Sequence, residues 1–362
     1  MIRDMRSSRS QGTPGSIPRS AVATTARAHV TALGRIPELL ERFGVNSEPI
    51  LASANLRRED LDDPDRSASF ADMDRLIGQC VRRTRCNHFG LLLGQHVNLQ
   101  SFGIAGRLAR NAPSVGAALR DLAAYFILHD NGGSVGVSIH DGSVTMSYGI
   151  HVPGIRHSDH VYDLSVATMI NIMRQLCGAS WRPDAVLLPR KRPPDIRPYR
   201  DWFAAPLRFD SIIAGIVFQE RCLSQPIADA DPLLHTLLQE NATVAIGRQD
   251  PLLHGDVRRT IRLLLLNQRC SRGKVARSLG MHPRTLGRRL QSTGATFQQL
   301  LDESRADLAQ QLLRDTRITI ARIAATVGYR DPTIFTRAFT RWTGRTPSAF
   351  RAELPGDSRV PP

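Results

Sequence analysis

The chain has 362 residues, 41% of them hydrophobic, which is more than one ordinary domain of about 100–200 residues needs and excludes a wholly disordered protein. No apolar run comes near the roughly 18–20 residues that cross a bilayer as a helix, so a helical membrane protein is excluded too. It carries 48 Lys and Arg against 33 Asp and Glu, a formal net charge of +15.

That excess is local. Residues 251–353 hold 19 basic and 7 acidic residues, residues 1–20 add a net +3, and the 230 residues between them are neutral. Only Lys191 and Lys274 are lysines, so the positive charge is almost all arginine. Basic charge gathered into about 100 residues is the footprint of a polyanion binder. A generally arginine-rich composition leaves the balanced middle unexplained. The five cysteines (Cys80, Cys86, Cys177, Cys222, Cys270) are an odd number without a C-x-x-C pair, which points to buried free thiols in a reducing, cytoplasmic setting. Residues 1–20 are rich in Arg, Ser, Gly and Pro and lack the apolar core of a secretory signal, so a disordered basic tail is expected.

In chain order, the pattern from about Val22 to Leu51 reads as helical, with Leu33, Ile36, Leu39, Leu40 and Phe43 on one stripe and Gly44 as its C-cap. Further helices are expected over Asp72 to Cys86, Phe89 to Leu93 and Ser114 to Leu128, the last opened by Pro113-Ser114. After Asn131-Gly132-Gly133 the period changes: Val135, Val137 and Ile139, then Val144, Met146 and Tyr148, alternate on either side of Asp141-Gly142, the pattern of a β-hairpin. His160 to Cys177 returns to helix, and Ala185 to Leu188 and Ile212 to Phe218 suit short strands. A connecting helix is expected from about Leu233 to Gly247, and from Asp256 onward the chain reads as helix after helix.

The basic helical segment contains an internal repeat. Val275-Ala276-Arg277-Ser278-Leu279-Gly280 is matched by Ile323-Ala324-Ala325-Thr326-Val327-Gly328, and Leu286 and Leu290 by Phe335 and Phe339. In each copy a small alanine lets two helices cross closely, a glycine takes the turn, and an apolar pair at i, i+4 buries a second helix that starts near Pro283 or Pro332. That is helix-turn-helix geometry, twice. The stretch Ile323-Ala324-x-x-x-Gly328-Tyr329-x-Asp331-x-Thr333-x-Phe335-x-Arg337-x-Phe339, continuing through Gly344-x-Thr346-Pro347-x-x-Phe350-Arg351, resembles the signature of AraC/XylS-type transcription regulators, as does Arg305-x-x-x-Ala309-x-x-Leu312-Leu313. Residues 30–225 more loosely resemble the effector-binding domain of the subgroup whose sensor is α/β.

The expected fold is therefore an α+β N-terminal sensor domain, helices then a small β-sheet, followed by an all-α C-terminal domain with two helix-turn-helix units. The expected boundaries are a tail over 1–20, an effector-binding and dimerisation domain over 21–228, a linker over 229–253, the DNA-binding domain over 254–353 and a tail over 354–362. A helix from Phe297 to Arg314, about 27 Å long, could hold the two units nearly one DNA turn of about 34 Å apart. Beside the buried pairs, Arg284, Thr285, Arg288 and Arg289 face outward on the first second-helix, and Thr333, Thr336 and Arg337 on the other. Arginine suits guanine edges and phosphates, and threonine either a base or a phosphate. His282 stands where the family commonly has serine, which would remove a cap, and Gly287 weakens the first recognition helix by about 1 kcal/mol relative to alanine.

The resemblance implies promoter DNA, a small effector, RNA polymerase and a second copy of the chain as partners, and no cofactor. In the sensor, a helix bearing Leu119, Leu122, Tyr125 and Phe126 leads into the hairpin and could enclose a pocket, with Tyr125 and His129 as its polar contacts. Two rival readings remain. One is an architectural DNA-binding protein without a sensor, which the size of the neutral middle opposes. The other is a metal-binding or catalytic middle domain built on His151, His157, Asp159, His160 and Asp163, where His157 and His160 could share a helix face, or else be solvated at a helix start that Ser158 or Asp159 caps. No P-loop, nucleophile-elbow or dinucleotide glycine motif accompanies that cluster.

Overall fold

A computed structural model describes residues 26–248, 253–266 and 270–354. The expected tail over 1–20, the expected tail over 354–362 except Leu354, the start of the first helix before residue 26, and residues 249–252 of the linker lie outside them.

The first stretch is not one helix. Arg27–His29 is a strand, β1, followed by a tight turn over Val30–Leu33 and two short helices, α1 (Ile36–Arg42) and α2 (Glu48–Ala52). Pro37 and Pro49 each sit in the first turn of their helix, where a missing N–H costs nothing, and Gly44 leaves α1 with φ +67. Proline and glycine at this spacing break a continuous helix. Strand β1 pairs antiparallel with β2 (Ser67–Ser69), so strand pairing begins well before the hairpin. Of the expected stripe, Leu33, Ile36, Leu39 and Leu40 are buried, while Phe43 is exposed.

Next come α3 (Phe70–Thr84), capped by Ser69, α4 (Phe89–Gly94), α5 (Gly103–Asn111) and α6 (Val115–Tyr125). The expected start at Ser114 is real, because its hydroxyl accepts the Ala117 amide. Residues Gly103–Asn111, which no start signal announces, are also helical. The hairpin is β3 (Gly133–His140) and β4 (Ser143–Ile150), with Asp141 and Gly142 both at positive φ in a two-residue turn that matches strand twist. Helix α7 (Ser158–Cys177) crosses behind it, and β5 (Ala185–Leu187), α8 (Arg197–Phe203), β6 (Leu207–Arg208) and β7 (Ala214–Gln219) complete a sheet of order β3-β4-β7-β5-β6, antiparallel except for β5–β6.

One face of the sheet, with Val144, Met146, Tyr148, Ile216 and Phe218, packs on Val166, Ile170 and Met173 of α7. Helix α7 also packs closely on α4 because Gly90 and Gly94 present bare backbone to His160, Leu164 and Ala167. Two of the cysteines, Cys80 and Cys86, are buried, and Cys177, Cys222 and Cys270 only half so.

The connecting helix α9 (Pro232–Arg248) lies on α5 through Leu238 and Ala242 against Leu108. The C-terminal region is α10 (Leu253–Leu266), α11 (Arg272–Ser278), α12 (Pro283–Ser292), α13 (Phe297–Asp315), α14 (Ile320–Thr326), α15 (Pro332–Thr343) and α16 (Pro347–Ala352), without a strand among the described residues. Its core gathers Ile261, Leu286, Leu290, Leu308, Leu312, Ile323, Phe335 and Phe339.

Replacing Gly90 by alanine drives a methyl group into the His160 carbonyl of α7. Forcing two backbones apart in a packed core costs about 1–3 kcal/mol. Urea unfolding should show that loss for Gly90→Ala and a gain of up to about 1 kcal/mol for Gly287→Ala, where nothing lies within 4 Å of the added carbon.

Candidate functional site

The two repeats are built by caps. Ser271, Thr319, Asp331 and Thr346 each accept an N-terminal amide of the helix that follows, and Thr296 forms a reciprocal capping box with Gln299 at the head of α13. The turns open at Gly280 (φ +64) and Gly328 (φ +88), positions that residues with a Cβ rarely adopt. The expected loss of a cap at His282 is corrected: its Nδ1 accepts the Arg284 amide at 3.3 Å, so the imidazole replaces serine as the cap of α12.

On α12, Arg284, Arg288 and Arg289 are exposed and Thr285 half-buried; on α15, Thr333 and Arg337 are exposed and Thr336 half-buried, its hydroxyl returned to the Pro332 carbonyl. Among the described residues, the side chains of Arg284, Arg288, Arg289 and Arg337 have no acidic partner, unlike Arg258 with Glu303 or Arg345 with Glu353. Their charge faces solvent. Ile334, absent from the sequence expectations, is 55% exposed on the same face of α15, and a large apolar residue between exposed Thr333 and Arg337 was the available signal.

Helix α13 runs 19 residues, about 28 Å at 1.5 Å per residue. Its C-terminal end is held by the N-terminal domain. The Ser158 hydroxyl donates to Asp315 Oδ2 at 2.6 Å, Arg314 donates to the Ile155 carbonyl at 2.8 Å and to Ser158 Oγ at 3.0 Å, and the Tyr162 hydroxyl donates to Gln311 Oε1 at 3.2 Å. Arg262 of α10 reaches the same Gln311, and the Arg317 amide donates to Asp210 at 2.7 Å. Burial pushes the Asp315 carboxyl up to about 6, against the opposing pull of Arg314.

Behind that contact lies a cavity of about 100 Å³ lined by β1 and the turn after it, α3, α6, α7 and the hairpin. Its walls include Phe70, Ile77, Phe102, Leu122, Phe126, Met146 and Ile172, with His29, His129, Asp130 and Tyr148 as polar members. His129 lies where expected, stacked on His29 at 5.4 Å and edge-on to Phe102 at 4.7 Å. Tyr125 does not line the cavity. One turn of helix from Leu122, it packs toward α9 and its hydroxyl lies 3.2 Å from Thr243, so its expected role there is corrected. Leu119 is plain core, and Leu122 and Phe126 are cavity wall. Asp130, which the sequence reading passed over, accepts the Gly132 and Gly133 amides at 2.8 and 2.7 Å and the Tyr148 hydroxyl at 2.7 Å. An aspartate just before Asn-Gly-Gly was its signal.

Comparison with known proteins gives the same division. Residues 44–227 match the family described as the arabinose-binding domain of AraC transcription regulator, N-terminal, and residues 275–353 match a helix-turn-helix domain family. The chain belongs to the AraC family of transcription regulators. Among its relatives are an ornithine utilization regulator of Pseudomonas aeruginosa, 27% identical over 87% of this chain and 93% of that protein, and the HTH-type transcriptional regulator VirS of Mycobacterium tuberculosis, 26% identical over 89% and 95%. Of solved structures, the transcriptional regulator CdpR from Pseudomonas aeruginosa is 26% identical over 84% of this chain and 96% of that one, with a TM-score of 0.40. This AraC-type regulator thus has an N-terminal ligand-binding domain and a C-terminal helix-turn-helix domain that binds DNA.

The histidine cluster that suggested a metal has structural partners instead. His157 accompanies Asp74, donating its backbone amide at 2.7 Å; His160 is buried against α4; and Asp163 is buried with Arg190 and the Tyr199 hydroxyl, the latter at 2.6 Å. The alternative of solvated histidines at a side-chain-capped helix start is corrected as well, because α7 begins at His157 without a side-chain cap and inside the protein. No group of three potential metal ligands occurs among the described residues. No helix among them is long and apolar enough to cross a membrane.

Burial depresses His129 to about 3, so folding favours its neutral ring. That contribution is complete above the unfolded value near 6.5 and is lost as pH falls through the window from about 6.5 to 3. Burial raises Asp130 to about 6, and its contribution runs the other way, complete below about 3.8 and lost as pH rises through 6. A His129→Phe variant removes only the first. Measured by urea unfolding, its stability relative to the parent should rise by about 1.4 kcal/mol for each pH unit below 6.5.

Proposed function

We propose that the regulator reads DNA with α12 and α15 in successive major grooves, and that the small cavity takes an effector whose presence is reported through the docked end of α13. The observation that carries this reading is Ile155. It is one of the residues that line the cavity, and its carbonyl accepts Arg314 of α13. One residue therefore faces both the effector's place and the helix joining the two reading units.

For DNA contacts, Arg284, Thr285, Arg288 and Arg289 serve the first groove, and Thr333, Thr336 and Arg337 the second. The exposed, unpaired guanidinium groups support this, since an arginine held by a carboxylate is not free for a base or phosphate. Ile334 adds an apolar surface of the kind that meets a thymine methyl group. The domain limits 21–228, 229–253 and 254–353 fit this division of labour, with α9 as a packed connector. The exposed Leu233, Leu237 and Val244, spaced along one side of α9, support pairing with a second copy. RNA polymerase, as the family resemblance implies, is the further partner, and the cytoplasm the place of action.

The test is affinity for a selected operator and for scrambled duplex at several salt concentrations. Arg288→Ala and Arg337→Ala should each lose about 1–3 kcal/mol on the operator and relax preference at separate base pairs. Being well separated, they should be nearly additive in the double variant. Phosphate contacts would instead weaken both duplexes alike and lower the salt slope by about one unit per arginine. Gly287 loosens the first reader, so Arg337→Ala should be the more damaging. Unchanged affinity in both variants would remove these helices as the readers.

Arg314→Ala tests the coupling. It leaves both reading helices intact while deleting the bond to Ile155. Operator affinity should change by several-fold, and any shift caused by an effector should shrink. A variant that binds DNA and responds like the parent rules out this contact as the link.

A further inference from the structure

We propose that the effector is a small, uncharged, mostly apolar molecule, about the size of one six-membered ring, carrying a single hydrogen-bonding group that meets His129. This rests on the reading of the cavity as the effector's place, and it names the ligand class.

Size comes first. A dry apolar cavity of about 150 Å³ accommodates benzene. The cavity here is about 100 Å³, and Met73, Met146 and Met169 in its wall can shift to admit slightly more. A fused ring system exceeds that space.

Charge comes second. No lysine or arginine lines the cavity, so a carboxylate or phosphate would lose its water without gaining a counter-charge. A cationic ligand fares little better. Both oxygens of Asp130 already accept bonds from Tyr148, Gly132 and Gly133, and Asp74 Oδ1 accepts from the Arg156 and His157 amides, so that among the described residues Asp74 Oδ2 is the one carboxylate oxygen of the lining left for a cation.

The free hydrogen-bonding capacity comes third. The Ser165 and Thr168 hydroxyls return to the carbonyls of Val161 and Leu164 in their own helix, and His29 Nδ1 is held by the Pro64 carbonyl at 2.6 Å, which leaves that ring its Nε2 alone. His129 differs. Its ring is buried between His29, Phe102 and Phe126, and among the described residues neither of its nitrogens has a hydrogen-bond partner. A neutral imidazole offers one donor and one acceptor, so a hydroxyl or a carbonyl satisfies it. A sugar, with four or five hydroxyl groups, would bury most of them without partners. The name of the matching family, taken from arabinose, therefore does not describe this cavity.

The experiment uses the full chain and titration calorimetry, with phenol and cyclohexanone as neutral probes, toluene as their apolar counterpart, and benzoate, benzylammonium and L-arabinose as contrasts. Phenol and cyclohexanone should bind saturably and at least ten-fold more tightly than the three contrasts. Leu122→Trp, which fills the cavity, should abolish that binding. Because this variant can fail to fold, His129→Phe is the second arm: it should weaken phenol several-fold and leave toluene unchanged. Tighter binding of benzoate, benzylammonium or arabinose overturns the proposed class but leaves effector sensing standing. Binding of no probe overturns both. Phenol binding that persists in a folded Leu122→Trp variant, or that is indifferent to His129→Phe, overturns the assigned place.

Discussion

The rest of the molecule depends on one rigid object, the helix Phe297–Asp315. Its buried residues Leu300, Leu301, Leu308, Leu312 and Leu313 are shared between the two helix-turn-helix units, so neither unit has a core without it. A helix of 19 residues cannot shorten without breaking backbone hydrogen bonds, which fixes the separation of the two exposed arginine faces. The capping box at its head and the Thr316 amide bonded to Leu312 at its tail close both ends. Flexibility between reading units is thereby traded for a set spacing.

The same rigidity decides how a ligand can act on DNA. An effector cannot alter the length of the spacer, and in the coupling proposed above its influence passes through what holds the spacer. That hold is a small polar contact: Ser158, Ile155 and Tyr162 on one side, Asp315, Arg314 and Gln311 on the other. Buried hydrogen bonds of this kind contribute little net stability when complete and cost about 1–3 kcal/mol when one partner is lost. Such a contact is suited to two discrete states, docked and released, because a half-made version is worse than either. Tyr162 also meets Tyr148 edge-on at 6.3 Å, and Tyr148 lines the cavity and holds Asp130. The cavity and the docked helix are thus separated by one layer of side chains.

The two halves of the chain differ in how much could be read in advance, for a physical reason. The C-terminal half is set by local rules: caps, glycine turns and an i, i+4 apolar pair recur at fixed spacing, so Pro283 and Pro332 mark the actual starts of α12 and α15, and Phe297 that of α13. The hairpin around Asp141-Gly142 was readable for the same reason. The N-terminal half is set by pairing between distant residues. Strand β1 exists because Ala28 lies opposite Ala68, forty residues away, and nothing in the pattern of residues 22–51 announces that partner. Helix α5 lacked a cap signal, and its glycine-rich start gave no periodic stripe to count.

The site shows the same split. Exposed arginines on α12 and α15 follow from which residues the apolar pair buries. A cavity is different, because it is a property of what several elements fail to fill. His129 could be chosen by its place after an apolar helix, but Tyr125, on that helix, could not be excluded until α9 was seen to cover it. Asp130 was hidden by its own turn chemistry: an aspartate before Asn-Gly-Gly reads as a turn former, and it is one, since its Oδ1 binds the Gly132 and Gly133 amides. Its second oxygen, bonded to Tyr148, makes the turn part of the cavity wall as well. That double duty takes both oxygens of Asp130 into internal bonds, and in the proposal above it is His129, with neither ring nitrogen bonded among the described residues, that sets what enters.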